Sequence, residues 1–188
     1  MGKVKFGLSN VHYAIVTETT DESTGEVTST YGTVKPWKGA VSINLDPQGD
    51  NEPFHADNGV YYTTDTNNGY AGDFESAEVP EDVETSVYGQ TKDATSGMIV
   101  EKASDVKKYI ALLFEFDGDP SKRRFCFYRC RLQRHSIASQ TTSDTTTVGT
   151  DTVNITVTPR PDDEVVKSFA DQGATAYANW YNAVPAIA

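Results

Sequence analysis

Apolar and polar positions alternate along most of this chain, and a period of two predicts β-strands that bury one face. Residues 11–19 (VHYAIVTET) and 26–35 (EVTSTYGTVK) alternate on either side of a polar turn at residues 21–25. These two segments predict a first hairpin. Residues 40–45 (AVSINL) alternate again after a break at residues 36–39, which predicts the next strand.

The most apolar segment is residues 108–117 (KYIALLFEFD), which predicts a central strand. After a turn at residues 118–121, residues 123–133 (RRFCFYRCRLQ) predict its hairpin partner. Alternation along this partner predicts a core face with Cys126, Tyr128, Cys130 and Leu132, and an opposite face with Phe125, Phe127, Arg129 and Arg131. The opposite face suits a contact between subunits, because aromatic residues and Arg are enriched in interfaces. Burial of both faces inside the protein is the alternative.

Cys126 and Cys130 are the only cysteines of the chain. Four residues apart on a strand, they would point to one face at a separation of roughly 13 Å, given about 3.3 Å per residue. A disulfide needs Cα atoms within about 7 Å. The spacing therefore indicates two small buried thiols rather than a disulfide or a metal site.

Residues 46–59 are rich in Asp, Gly, Pro and Asn, which predicts a long, ordered, acidic loop. Strands are predicted at residues 60–66 and 70–79, joined by a tight hairpin turn at residues 67–69 (NNG). A loop this polar cannot pack into its own core, and it carries aromatic groups, so we expect it to contact another copy of the protein. The predicted contact residues are Asp46, Pro47, Asp50, Pro53, Phe54, Asp57, Tyr61 and Tyr62.

One short helix is predicted at residues 80–89, where Pro and two acidic residues suit a helix start and Gly89 suits its end. A small strand is predicted at residues 98–100 and a last strand at residues 153–158 (VNITVT), after a mobile polar loop at residues 139–152. The pattern predicts a mainly β fold, a β-sandwich or open barrel of two packed sheets flanked by one short helix.

The predicted β-domain covers residues 1–160, and residues 161–188 form a C-terminal extension. The extension must find a contact for its large apolar side chains, either on its own sheet or on a neighbouring subunit. The residues expected to make that contact are Phe169, Tyr177, Trp180 and Tyr181.

The formal net charge of -11 argues against a protein that binds nucleic acid by neutralising phosphates, and against attraction to anionic membranes. The N-terminus lacks the apolar segment of a signal peptide. The longest apolar run, residues 110–114, is far shorter than the ~20 residues of a membrane-spanning helix. These features predict a protein that is made and assembled in a cytoplasm.

No catalytic motif is present, and no cofactor is predicted. His12, His55 and His135 show no metal-ligand spacing, and the glycines form no phosphate-binding motif. The acidic residues of the 46–59 loop could enclose a calcium ion, but their spacing differs from that of an EF-hand. The sequence therefore favours a structural protein.

An ordered series of segments resembles the major tail proteins of siphophages, the long-tailed phages of Gram-positive bacteria with non-contractile tails. The segments are residues 4–14 (VKFGLSNVHYA), 31–33 (YGT), Pro36, 39–41 (GAV), 45–50 (LDPQGD), 53–54 (PF), 56–62 (ADNGVYY), 67–70 (NNGY), 112–119 (LLFEFDGD) and 127–128 (FY). The resemblance spans roughly residues 3–160 in the same order, and the chain after Pro161 is similar too. Cys126 and Cys130 have no counterpart in this pattern.

The resemblance implies a tail-tube fold and hexameric rings stacked along the tail around a lumen through which DNA is ejected. It implies as partners other copies of the chain, a tape-measure protein, and tail initiator and terminator proteins. It also implies a place in the virion tail, with assembly in the cytoplasm of the bacterial host. Edge strands could pair between subunits, so that each ring closes an inner β-barrel.

An acidic lumen would let DNA pass without specific binding, because like charges repel. The candidate lumen residues border acidic turns: Asp65, Asp73, Glu75 and Glu78.

Two other classes of protein stay open at this point. One is a monomeric β-sandwich binding module that recognises carbohydrate through exposed Trp37, Tyr61, Tyr62 and Trp180. The other is a secreted hydrolase domain, which the missing signal sequence and the missing acid–base pair disfavour.

Overall fold

The structure is a computed structural model that describes residues 6–138 and 149–187, so residues 139–148 of the predicted polar loop lie outside it. The strands are β1 (Leu8–Thr20), β2 (Val27–Tyr31), β3 (Lys35–Pro36), β4 (Ala40–Gln48), β5 (Asn51–Ala56), β6 (Gly59–Asp65), β7 (Gly69–Ser76), β8 (Thr91–Lys92), β9 (Ile99–Val100), β10 (Tyr109–Phe116), β11 (Arg124–Leu132), β12 (Asp151–Val157) and β13 (Lys167–Ala170). Helix α1 covers Glu81–Ser86, and a 3-10 helix covers Thr175–Asn179. The predicted mainly β fold with one short helix is confirmed.

One large antiparallel sheet forms the body of the protein. Its strand order is β2-β1-β10-β11-β12-β7-β4, with β3 also paired to β1 and β13 also paired to β11. The sheet curls until β4 approaches β1, although the two strands are far apart in this order. Trp37 closes the gap, because its backbone N–H donates to the Val11 carbonyl (2.8 Å) and its indole N–H to Ser76 Oγ (3.1 Å). The result is an open barrel.

The concave side of the sheet encloses the main core, which we call the inner core. The Trp37 ring lies edge-on to the rings of Tyr13 (5.7 Å) and Phe74 (5.0 Å). Helix α1 packs on this core through the buried Val83 and the adjoining Val87. The remaining contributors come from the inward side of the strands, including Ile110, Leu112, Phe114, Leu132, Val153, Ile155 and Val157.

The convex side of β1, β10 and β11 carries a second cluster, the outer core. Ala14, Ala111, Leu113 and Cys126 form its floor, and Trp180 covers them. Trp180 is 2% exposed. The C-terminal extension therefore packs on its own sheet, which is one of the two contacts that the sequence left open. The boundary at residue 160 stays a prediction, and β13 joins the sheet beyond it.

A β-bulge in β11 explains an error in the predicted faces. Ile110 pairs with Cys130, but Leu112 pairs with Phe127, so β11 has one more residue than β10 over this interval. The inner core receives Phe125, Phe127, Cys130 and Leu132, and the outer core receives Cys126 and Tyr128. The prediction that Cys126 and Tyr128 share a face with Cys130 and Leu132 is wrong. Both sides of β11 carry buried residues, and both thiols are buried. Of the predicted contact face, Phe127 is buried, while Phe125, Arg129 and Arg131 are only partly buried.

Candidate functional site

An exposed β-hairpin made of β5, a two-residue turn and β6 projects from the body, and we call it the arm (residues 51–65). Its pairing runs from Asn51 opposite Asp65 to Ala56 opposite Gly59. The turn residues Asp57 and Asn58 have φ angles of 50° and 59°. Two consecutive positive φ angles are the signature of a type I′ turn, which Asp and Asn tolerate.

The arm continues the pairing of β4 with β7, so residues 40–76 form one long hairpin. Gln48 pairs with Gly69 at the edge of the sheet, and the Thr66 N–H donates to the Asp50 carbonyl (3.0 Å) at the base of the arm. Between these two pairs the regular strand pairing is interrupted at Gly49. An added Cβ at Gly49 would lie 1.9 Å from the Thr66 carbonyl oxygen. The break separates the arm from the sheet.

Two sequence predictions are wrong here. Residues 46–59 are not a loop, because β4 extends to Gln48 and β5 follows. The turn at residues 67–69 does not close a hairpin, because β6 pairs with β5 and β7 pairs with β4. The sequence contains two Asn-Gly steps, at residues 58–59 and 68–69, and the hairpin turn lies at Asp57 and Asn58, next to the first of them.

Large apolar side chains of the arm are open to solvent on both of its faces. Phe54 and Tyr62 are each 62% exposed, and Tyr61 is 75% exposed. Val60, which the sequence analysis did not single out, is 60% exposed. Monomeric proteins rarely leave such groups together without a partner. Residues 46–65 also carry five acidic side chains and no Lys or Arg, so the partner surface is expected to be basic as well as apolar.

A second exposed surface is the outward side of β4, β7 and β12, which we call the polar face. The outer core does not extend over it. Across the strands, Asp73 lies between Asn44 and Asn154, and Glu75 lies between Ser42 and Thr152. The polar face consists of Ser42, Asn44, Asp46, Ala71, Asp73, Glu75, Thr152, Asn154 and Thr156. It holds three carboxylates and no basic residue.

The four candidate lumen residues do not lie together. Asp73 and Glu75 are neighbours on the polar face, where Glu75 accepts hydrogen bonds from Ser42 (3.1 Å) and Thr150 (2.5 Å). Asp65 is at the base of the arm, and Glu78 is on the connection from β7 to α1. Their role in a lumen stays a prediction.

The four residues of the predicted contact face on β11 are also divided. Phe125 and Phe127 point to the inner side, where Phe125 stacks on Phe114 with ring centroids 5.6 Å apart. Arg129 pairs with both carboxylate oxygens of Glu18 (2.5 and 3.1 Å). The guanidinium groups of Arg129 and Arg131 lie 3.9 and 4.8 Å from the centre of the Tyr109 ring. All these contacts lie within one chain, so a subunit contact at this face stays a prediction.

The aromatic residues of the extension lie in two places. Tyr177 and Tyr181 hold the extension to the sheet, because the Arg124 guanidinium lies 3.8 and 4.8 Å from their ring centres. Phe169 on β13 is 56% exposed and lies beside Phe125 (6.0 Å). Of the four extension residues, Phe169 has the most surface available to a neighbour.

Other site types find little support in the described ranges, 6–138 and 149–187. Trp37 and Trp180 are each 2% exposed, so two of the four aromatic residues of the carbohydrate-binding alternative cannot reach a ligand. No group of three His, Cys, Asp or Glu side chains there could hold a metal ion, and the acidic residues of segment 46–59 do not converge. The same ranges contain no helix with the length and apolar character that a membrane span requires.

Comparison with protein families covers almost all of the chain. The family model described as phage tail tube protein matches residues 4–182, nearly the whole chain. No curated protein matches the chain.

Proposed function

We propose, because the chain belongs to the phage tail tube protein family, that its copies assemble into stacked hexameric rings that form a conduit for DNA ejection. The family makes the protein a structural component of the virion tail. The arm is the observation that carries the proposal. It exposes Phe54, Tyr61 and Tyr62, and no other element of the described chain covers them.

The arm would join neighbouring copies. Fully burying a large apolar side chain is worth about 1.5–3 kcal/mol, so three buried aromatic residues could supply much of the contact energy between two subunits. Asp50 and Asp57, at the base and the turn of the arm, would select a basic partner surface. Five of the eight contact residues predicted from the sequence lie on the arm: Pro53, Phe54, Asp57, Tyr61 and Tyr62. Asp50 lies at its base, and Asp46 and Pro47 lie on the end of β4 that leads into it.

The polar face would line the lumen. Its rows of Asn, Ser and Thr and its carboxylates Asp46, Asp73 and Glu75 offer DNA no cation to bind. A channel of this kind repels phosphates and allows rapid passage. The sheet ends at β4 and β2, and pairing of these edge strands between subunits would continue the sheet around a ring.

The test is removal of the whole arm. Because the arm is a hairpin, deleting one strand would leave the other unpaired, so residues 51–65 are replaced by Asn-Gly to close a two-residue turn between Asp50 and Thr66. We expect an unchanged melting temperature and loss of rings and tubes in negative-stain microscopy and sedimentation velocity. A second variant, the full-length Phe54→Ser, Tyr61→Ser, Tyr62→Ser, keeps the hairpin backbone and removes only the aromatic side chains. It is also expected to lose assembly. Tubes formed by the armless variant would overturn the proposal.

A further inference from the structure

The arm and helix α1 lie at opposite ends of strand β7. Gly69, the first residue of β7, follows the arm, and Ser76, the last, leads into α1. Eight residues at about 3.3 Å each separate the two ends by roughly 25 Å. In a stack of identical rings the contacts are heterologous, so a group that projects from one end of a subunit meets the opposite end of the next. This step rests on the proposed function.

The surface around α1 is built from two segments that are fixed to the helix. The Lys108 N–H donates to the Val87 carbonyl (2.8 Å), and the Tyr88 hydroxyl donates to the Gln133 carbonyl (2.8 Å). These bonds hold residues 91–108 and the end of β11 beside α1. We call the surface they form the basic end and define it by Lys102, Val106, Lys107, Arg131 and Arg134.

Four of the five residues that define the basic end are cations, in a chain of net charge -11. Residues 91–108 and 131–134 contain six basic and three acidic side chains, and the adjoining helix α1 carries three further acidic residues, Glu81, Asp82 and Glu84. Partial burial lowers the pKa of Lys107, and the nearby Arg131 and Arg134 lower it further. Arg134 pairs with Glu101 (2.5 Å). Among the described residues, no carboxylate forms an ion pair with Lys102, Lys107 or Arg131.

The basic end also has apolar surface and space. Val106 is 76% exposed, and Met98, on the same segment of residues 91–108, is 61% exposed. Two adjoining cavities of about 250 and 320 Å³ share Tyr88, Glu101 and Arg134 in their walls. Both spaces are open and lined mostly by polar and charged side chains, with apolar surface from Tyr88 and Ile99. Each is larger than the roughly 150 Å³ that holds benzene in an apolar cavity, so each has room for an aromatic side chain.

We propose that the basic end is the surface that receives the arm of another copy in the next ring. The acidic side chains of the arm would face Lys102, Lys107 and Arg131, and its exposed aromatic rings would enter the cavities beside Arg134. Each surface supplies what the other lacks, since the arm has no Lys or Arg and the basic end has a cationic excess.

Disulfide trapping in assembled tails tests this docking. The double variant His55→Cys, Val106→Cys places one thiol near the turn of the arm and one on the basic end, and Cys126 and Cys130 are buried and do not compete. Oxidation should produce a ladder of linked subunits on a non-reducing gel. The matched control His55→Cys, Lys167→Cys moves the second thiol to β13, at the end of the sheet from which the arm departs, and should give no ladder.

Each result decides a separate question. A ladder from the control with none from the first variant would move the receiving surface to β13 and overturn the inference, while the proposed tube would stand. Intact tails with no ladder from either variant would overturn it as well. A tail that contains no copies of the chain would contradict the proposed function, and with it this inference.

Charge exchange gives an independent readout. The variant Lys102→Glu, Lys107→Glu should lower the yield of assembled tubes at least about tenfold, since like charges facing each other in an interface are strongly unfavourable. Combining it with Glu52→Lys, Asp57→Lys should restore assembly. Lys38→Glu, which changes an exposed lysine outside the basic end, should leave the yield unchanged. Full assembly of the first variant would contradict the docking.

Discussion

The Tyr128 hydroxyl donates a hydrogen bond to the carbonyl of Pro185, 57 residues later, at 3.0 Å. The same hydroxyl contacts Ser168 Oγ at 2.7 Å, so one side chain of β11 links β13 and the end of the extension. The Trp180 indole N–H donates to the Phe125 carbonyl at 3.4 Å. The extension is therefore a fixed wall of the outer core.

Truncating Trp180 should destabilise the folded protein. Trp180 is 2% exposed over the outer core, and a buried Trp→Ala change costs about 3–5 kcal/mol through lost transfer energy and the cavity left behind. We expect Trp180→Ala to lower the free energy of unfolding by this amount in urea titrations. Ile187→Ala, at a residue 44% exposed in the same extension, should have a far smaller effect. Equal losses from both variants would show that the extension is not held by its tryptophan.

The two thiols should be unreactive in the folded protein. Burial raises the pKa of both Cys126 and Cys130, and neither is exposed. The thiolate is the reactive form of cysteine. Ellman's reagent should therefore label neither cysteine of the folded protein in buffer at about pH 8, and both cysteines of the protein unfolded in about 8 M urea. Rapid labelling of either thiol in buffer would show that its side chain is open to solvent.

The strands of the body could be predicted from the sequence because burial follows a period of two along strands such as β12 and is continuous along β10. Residues 110–113 of β10 are fully buried, and this continuous apolar run predicted a central strand. The β11 bulge could not be predicted in this way. Its extra residue interrupts the alternation while Phe127 and Cys130 remain apolar, so the composition of the strand gives no sign of the change.

The arm and the basic end depend on tertiary structure to different degrees. The residues of the arm could be identified from composition. Two Asn-Gly steps favour a turn in this region, however, and the sequence alone does not show that the chain turns beside the first and forms a hairpin there. The basic end depends wholly on the fold, because Lys107 and Arg131 come together only when residues 91–108 pack beside the end of β11. The net charge of the whole chain gives no sign of this basic surface.

Adding a methyl group at Gly72 should break the pairing of β4 with β7. A Cβ at this position would lie 1.9 Å from the Asn44 carbonyl oxygen, which is backbone and cannot turn away. We expect Gly72→Ala to lower the free energy of unfolding by about 3 kcal/mol or more. Gly25→Ala is the matched control, since its Cβ would meet nothing within 4 Å and only its positive φ of 72° opposes alanine. That change should cost about 1–2 kcal/mol. Similar losses from the two variants would argue against the close strand contact.

The ion pair between Arg160 and Asp163 should make stability depend on pH in acid. Hydrogen bonding from Arg160 holds the pKa of the Asp163 carboxyl below its ordinary value, so the contribution is present above about pH 4 and is lost as pH falls through the lower folded pKa. Asp163→Asn should cost about 1 kcal/mol or less at pH 7, because the carboxylate is a third exposed. The difference from the parent protein should shrink below pH 4. A constant difference between Asp163→Asn and the parent protein down to pH 2 would contradict the role of the Asp163 charge.

Reversing charge on the polar face should slow DNA ejection if the proposed lumen is correct. The pair Asp73→Lys, Glu75→Lys would place two cations between rows of Asn, Ser and Thr that DNA passes, and each cation can hold a phosphate and release counterions. We expect tails of normal length and a lower rate of ejection from receptor-triggered phage, with the slowing relieved by added salt. Glu22→Lys on the turn between β1 and β2 keeps the sign of the change but lies away from the polar face, and it should leave the rate unaltered. An unchanged ejection rate in the Asp73→Lys, Glu75→Lys variant would place the lumen on another surface of the subunit, because a phosphate-binding lining cannot be neutral to the passage of DNA.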